Sequence, residues 1–187
     1  MTDAEKVLVY KPNLPQDRPR GEWFTYCDSP LEFMAEVAMT RPGRLVVFVE
    51  GDSLKERDAA LEFCAGLRGH PATGGLPLVC VLPARHRRLL ERLRQAGVDR
   101  VAFRPKEAAP PAGPGLKNLG EPLAEVLAQT CPHLEHLPVD RRKEMAYCGA
   151  YRSRLVLGRD HLLGVCENDA HRDCPFFMSP RLVSANA

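Results

Sequence analysis

Four cysteines in the C-terminal third of the chain carry its clearest chemical signal: Cys131, Cys148, Cys166 and Cys174. They are spaced Cys-x16-Cys-x17-Cys-x7-Cys, without the Cys-x2-Cys pair of common zinc ribbons and fingers. Widely spaced thiolates still converge on one metal or cluster when the loops between them fold around it. We therefore predict that these residues ligate a cofactor, a [4Fe–4S] cluster in preference to Zn²⁺, although four thiolates satisfy either.

The same four cysteines could instead form two disulfides or stay as ordinary reduced thiols in a small helical tail. Two disulfides are disfavoured because the chain has seven cysteines, an odd number, and because its N-terminus lacks the apolar region of a signal peptide. We expect a cytoplasmic protein, in which thiols stay reduced. Ordinary thiols are disfavoured because four cysteines in so short a segment exceed background usage.

Other residues could assist or compete with this site. Four histidines lie in the same segment, and each could replace or orient a cysteine ligand, although an exposed or capping role is the ordinary alternative: His133, His136, His161 and His171. The three remaining cysteines are predicted to be structural. Cys64 and Cys80 fall at apolar positions, where cysteine acts as a small hydrophobe. Cys27 is expected to be the most accessible of the three.

The composition excludes several classes of function. The formal net charge of +2, from 26 basic and 24 acidic residues, is far from that of proteins that hold nucleic acid by bulk electrostatics. No apolar run reaches the roughly 18 residues of a membrane-spanning helix. There is no glycine-rich phosphate loop, Gly-x-Ser-x-Gly motif or convincing catalytic set, so we predict that the protein is not an enzyme and binds no membrane.

Strands and helices alternate over the first two thirds of the chain. An apolar run such as Leu45–Val49 is typical of a central parallel strand covered on both faces. The first helix is predicted to place five residues on or near its inner face: Leu31, Phe33, Met34, Val37 and Ala38. This alternation predicts an α/β fold with an open parallel sheet. Four helices follow from capping boxes and apolar periodicity, beginning near Ser29, Ser53, Ala84 and Leu116, the last running to Gln129.

Four segments of the chain occur in the same order as similar segments of a known domain family: Pro42–Phe48, Leu76–Ala84, Gln95-Ala96-Gly97-Val98-Asp99 and Phe103-Arg104-Pro105. Over Pro42–Lys106 the chain thereby resembles the receiver domain of two-component response regulators. This resemblance implies a flavodoxin-like sheet. It also implies that, in phosphorylated members, an acidic pair, an aspartate, a hydroxyl and a lysine lie at the carboxyl edge of that sheet.

The residues that a receiver needs for phosphoryl transfer are missing. The magnesium-binding acidic pair is replaced by Tyr10-Lys11-Pro12-Asn13, and the proline-rich stretch Pro12–Gly21 replaces the first helix. The resemblance therefore implies a scaffold that cannot be phosphorylated. An unrelated flavodoxin-like sheet that never had such a site is the alternative. The aspartate position is Val49 or Glu50, the hydroxyl position is Pro83, and the lysine position is Arg104.

The cysteine segment has resemblances of its own. Proline follows Cys131 and Cys174, which is similar to ferredoxins, whose last cluster cysteine precedes proline. The phrases Cys131-Pro132-His133-Leu134 and His171–Phe176 resemble small four-cysteine modules appended to bacterial proteins. These resemblances support the prediction that the four cysteines bind a metal or a cluster. They do not indicate the pathway in which the protein acts.

Together these observations predict two domains, a receiver-like α/β domain over 1–130 and a four-cysteine extension over 131–187. We expect a non-catalytic regulatory or adaptor protein that senses redox state through the cluster. A zinc-stapled interaction module and an electron-transfer or enzyme subunit are the alternatives. Arg85, Arg88 and Arg92 form a helix face that fits a protein partner, a homodimer contact or simple solvation.

Overall fold

The computed structural model describes residues 6–12, 21–49, 54–104, 119–139, 144–151 and 155–181. The chain divides into two compact units. Unit 1 comprises residues 1–84 and 93–123, and unit 2 comprises residues 85–92 and 124–187. None of the helices within the described ranges is long and apolar enough to cross a lipid bilayer.

Unit 1 is built on a six-stranded sheet in the order β2-β1-β3-β4-β5-β6. The first five strands in this order are parallel, and β6 pairs antiparallel with β5. A parallel order of 2-1-3-4-5 is that of flavodoxin-like folds. The predicted α/β class with an open parallel sheet is therefore confirmed. The strands are β1 (Val7–Tyr10), β2 (Phe24–Cys27), β3 (Arg44–Phe48), β4 (Leu78–Leu82), β5 (Arg100–Phe103) and β6 (Glu121–Pro122).

Four helices accompany these strands along the chain: α1 (Pro30–Thr40), α2 (Leu54–Gly69), α3 (Arg87–Gln95) and α4 (Leu123–Gln129). The Ser29 side chain accepts a hydrogen bond from the Glu32 N–H, as the first capping box predicts. Ser53, which begins the second capping box, and the stretch 13–20 lie outside the described residues.

The helix predicted from Leu116 begins only at Leu123, so the predicted start is wrong for the described part of that segment. Gly120 has a positive φ of 88°, which is incompatible with a right-handed helix. Pro122 lacks the N–H that a helix interior requires. Residues 121–122 instead pair with β5.

The core of unit 1 is formed mainly by apolar strand residues, with Phe33 and Val37 of α1 also buried. Leu31, predicted to face inward, is 82% exposed because it lies two residues, more than half a turn, from the stripe of Phe33 and Val37. Cys64 and Cys80 are buried with their sulfur atoms 3.6 Å apart. Cys27, expected to be accessible, is fully buried, because α1 packs against β1 and β2.

Unit 2 contains a small antiparallel sheet, which was not predicted from the sequence. Its order is β7 (Leu134–Pro138), β8 (Glu144–Cys148) and β9 (Leu155–Val156). Short helical segments follow: α5 (Arg159–His161), a π-helical turn over Leu162–Cys166, a 3₁₀ turn over Asp169–Asp173 and α6 (Pro175–Met178).

Candidate metal centre

The four cysteines all lie in unit 2, and each is placed where a regular element begins or ends. Cys131 follows α4, and Cys148 is the last residue of β8. Cys166 ends the π-helical turn, a kind of irregularity that is frequent at functional sites, and Cys174 precedes α6. The first three side chains are buried, Cys174 is half-buried, and all four are free thiols.

Backbone hydrogen bonds hold the cysteine-bearing segments together. The Cys131 N–H donates to the Cys166 carbonyl at 2.8 Å. Cys148 lies opposite Leu134 in the ladder between β7 and β8, which places it close to the turn that follows Cys131. Cys174 is tied more locally, since its N–H donates to the His171 carbonyl at 3.1 Å. Residues far apart in sequence are thereby brought to one region of unit 2.

The four thiols lie within range of one another's charge. Burial, followed by negative charge at Cys131, Cys148 and Cys174, raises the pKa of Cys166 to about 12. Burial also raises the pKa of Cys131. A hydrogen bond from the His133 backbone N–H and the positive charge of Arg87 oppose that rise. At neutral pH Cys131 and Cys166 are therefore neutral thiols, and a bound metal must displace their protons.

The side chains do not form a ready-made metal site. In the described ranges, which include all four cysteines, no three His, Cys, Asp or Glu side chains form a group that could hold a metal ion as they stand. Four thiolates satisfy either Zn²⁺ or a [4Fe–4S] cluster, so the donor set alone does not choose between them.

The four histidines differ in their relation to the cysteines. His133 and His171 both make edge contacts with the Phe177 ring, at centroid distances of 6.1 and 5.1 Å. His171 is 3% exposed, and its Nδ1 lies 2.7 Å from the Asn168 carbonyl. This contact orients the ring in the way that supporting residues orient metal ligands. His136 stacks on His86 instead, and His161 is exposed.

Apolar side chains surround two of the thiols. Cys131, Leu134 and Cys166 form a buried cluster, against which three partly buried residues pack: Ala146, Leu157 and Leu162. An apolar shell limits the access of water, and this is one of the factors that set the potential of a metal site.

The predicted arginine face does not behave as one surface. Arg85 donates from Nη1 to the Glu167 carbonyl at 2.8 Å and to Gln129 Oε1 at 3.3 Å. Arg88 and Arg92 are exposed. Arg85 therefore contacts the residue after Cys166, a role that sequence reasoning missed because no local spacing rule links residues 85 and 167.

The carboxyl edge of the parallel sheet carries basic and apolar residues. Lys11 directly follows β1, and its ammonium lies 5.2 Å from the centroid of the Phe48 ring. Val49, after β3, is buried, and Arg104 follows β5. Glu50 lies outside the described residues. These positions are where a receiver would bind magnesium and accept a phosphoryl group.

No protein-family model matches the chain, and no curated protein matches it either.

Proposed function

We propose that the protein is a non-catalytic regulatory or adaptor protein. Its flavodoxin-like unit is a receiver-like scaffold that cannot be phosphorylated. Its four C-terminal cysteines bind a [4Fe–4S] cluster whose redox state or presence alters the contacts of the protein. The observation that carries the proposal is the convergence of Cys131, Cys148, Cys166 and Cys174 within range of one another's charge.

We favour a cluster over two disulfides or a single zinc ion. All four cysteines are free, and proline follows Cys131 and Cys174, as it follows the last cluster cysteine of ferredoxins. Iron–sulfur sites are tuned by hydrogen bonds to sulfur and by exclusion of solvent. The His133 N–H at Cys131 and the apolar cluster around Cys131 and Cys166 supply both features.

A regulatory role follows from the sheet edge of unit 1. Lys11 occupies the place of the acidic pair, and Pro83 and Arg104 replace the hydroxyl and the lysine. Such a scaffold supports binding rather than phosphoryl transfer. We place the protein in the cytoplasm with a protein partner, for which the exposed Arg88 and Arg92 offer a basic surface.

The deciding experiment is metal and acid-labile sulfide analysis, with a visible spectrum, on protein purified without air. We expect about four iron and four sulfide per chain with broad brown absorption. Cys→Ser changes at positions 131, 148, 166 and 174 should each reduce the iron content and the colour. Cys64→Ala, a buried cysteine of unit 1, is the matched control and should retain both. Zinc without colour would favour a zinc-stapled interaction module, and absence of any metal would refute the site.

The proposal that unit 1 cannot be phosphorylated can be tested separately. Incubation with a small phosphodonor such as acetyl phosphate, in the presence of Mg²⁺, should leave the mass of the protein unchanged. An added phosphoryl group on unit 1 would contradict the proposed loss of receiver chemistry.

A further inference from the structure

We propose that Arg87 and Arg85 are positioning residues for the cysteine site, because they hold the main chain beside Cys131 and Cys166. This inference rests on the cluster proposed above and names residues outside the cysteine segment that support it. Both arginines belong to unit 2, although the carbonyls that they contact there lie 40 to 82 residues further along the chain.

Arg87 holds the end of the helix that leads into Cys131. Its Nη1 donates to the Leu127 carbonyl at 2.6 Å and to the Thr130 carbonyl at 2.7 Å. Carbonyls at a helix C-terminus have no partners within the helix and carry partial negative charge. The guanidinium satisfies two of them at once, and Glu91 accepts from its Nε at 2.7 Å. The peptide that precedes Cys131 is therefore fixed by a guanidinium group that a carboxylate holds in place.

Arg85 holds the other side of the site. Its contact with the Glu167 carbonyl lies one residue beyond Cys166. The hydrogen bond from the Cys131 N–H to the Cys166 carbonyl then joins the two arginine-held segments. Two guanidinium groups and one amide thus fix the relative positions of Cys131 and Cys166.

His86 anchors the segment from which both arginines extend. Its Nδ1 accepts from the Leu89 N–H at 3.3 Å and caps α3. This leaves Nε2 as the donor to Glu144 Oε2 at 3.0 Å. The ring also stacks on His136 with centroids 3.9 Å apart. With His86 held in this way, the arginines on either side are pre-organised rather than free to reorient.

Arg87 also places a positive charge near Cys131, because its guanidinium donates to the carbonyl of the preceding residue at 2.7 Å. The net charge around an iron–sulfur cluster is one of the factors that set its reduction potential. A fixed guanidinium at this position would stabilise the more negative, reduced state and would raise the potential.

The test compares Arg87→Gln, Arg87→Lys and Arg85→Gln with Arg94→Gln, an exposed arginine of the same helix in unit 1. In protein loaded with iron and sulfide, we expect Arg87→Gln and Arg85→Gln to lose the cluster to a chelator about tenfold faster than Arg94→Gln. Arg87→Gln should also move the reduction potential to a more negative value. Arg87→Lys should return the reduction potential to the wild-type value. It should still lose the cluster faster than the wild-type protein does, because lysine keeps the charge without the fork of donors.

A second readout uses metal-free protein and does not depend on the cluster. Hydrogen exchange of the Cys131 amide, which donates to the Cys166 carbonyl, is measured in each variant. It should be about tenfold faster in Arg87→Gln and in Arg85→Gln than in Arg94→Gln. A wild-type protein that takes up no cluster would defeat the proposed function, while the exchange rate would still support or overturn the role of the two arginines. Equal exchange of the Cys131 amide and equal cluster loss in Arg87→Gln and Arg94→Gln would overturn the inference. If Arg87→Gln does not fold, Arg87→Lys and Arg85→Gln decide the same question.

Discussion

The two units of this protein are stabilised in different ways. Unit 1 has a continuous apolar core of sheet residues, including Val9, Val46 and Val79, which are fully buried. One buried cluster in unit 2 consists of Cys131, Leu134 and Cys166, so two of its three members are thiols. Unit 1 can depend on burial of hydrocarbon. Under the proposed function, unit 2 would use the same side chains for packing and for ligation, as small domains with staples do.

Under the proposed function, unit 2 is the part of the molecule that responds to its surroundings. A core of valine and leucine has no chemistry beyond packing. A buried cluster that contains cysteines changes its interactions when a metal is bound or lost, or when the thiols are oxidised. Cluster removal, core truncation and a change of pH should therefore affect the two units unequally.

Removal of the proposed [4Fe–4S] cluster should have the largest effect. Because binding energy contributes to folding energy, a chelator should raise amide exchange rates around Cys131 and Cys166 by about 100-fold or more. Strands β1 and β3 should exchange as before. Hydrogen exchange with mass spectrometry measures both units in one sample. An equal loss of protection in both would contradict the contrast.

Truncation of a side chain in the core of unit 1 should have the second-largest effect. Phe33 is fully buried and packs edge-on against Tyr10 and Phe63, so Phe33→Ala should lower the free energy of unfolding by about 3–5 kcal/mol. Leu31→Ala, at an exposed position of the same helix, should change it by less than about 0.5 kcal/mol. Urea unfolding followed by the fluorescence of Trp23, the single tryptophan, measures both.

Leu134→Ala tests packing in unit 2. The side chain is 2% exposed and should contribute about 2–4 kcal/mol in the metal-free protein. Leu137→Ala on the same strand, at a half-exposed position, is the control. Hydrogen exchange of β8 is the appropriate measurement, because Trp23 lies in the other unit. An equal effect of both changes would show that the packing of Leu134 against Cys131 and Cys166 adds little to stability.

The smallest effect concerns pH. Folding raises the pKa of Cys166 from an ordinary value near 9 to about 12, so the folded metal-free protein binds this proton more tightly than the unfolded chain. The stabilisation is present below pH 9 and is lost as pH rises toward 12. Cys166→Ser should flatten this fall in the free energy of unfolding. A wild-type curve that matches Cys166→Ser between pH 9 and 12 would argue against the buried thiol.

Much of unit 1 could be predicted because local signals agreed with the tertiary structure. The apolar run at Leu45–Val49 could only be a covered strand, and Ser29 with Glu32 set the start of α1. Two predictions for this part of the chain were wrong for local reasons. Leu31 was predicted to face inward, but it lies outside the buried stripe of α1. The helix predicted from Leu116 begins only at Leu123, because Gly120 and Pro122 do not fit a helix interior.

The candidate site was predicted by residue type but not by geometry. Four cysteines in one segment predict a shared site, and this stays a prediction. The structure places Cys131, Cys148 and Cys174 near enough to Cys166 for their charges to act on it. The sheet that carries Cys148 was missed because β7 and β8 lack the regular alternation of apolar residues; in β7, Leu134 is buried while His136 is half-buried and Leu137 exposed. The parts played by Arg85 and Arg87 could not be predicted, because they depend on contacts between distant residues.

Those distant contacts have a consequence for the order in which the chain acquires its structure during synthesis. The partners of Arg87, His86 and Arg85 lie 43, 58 and 82 residues further along the chain. Strands β1, β3 and β4 end at residue 82, so they can pair before those acceptors have been synthesised. When residue 123 has emerged from the ribosome, the whole sheet of unit 1 can be paired, while the start of α3 still awaits its acceptors. Delivery of iron and sulfide for the proposed cluster would therefore be productive only after Cys174 has emerged.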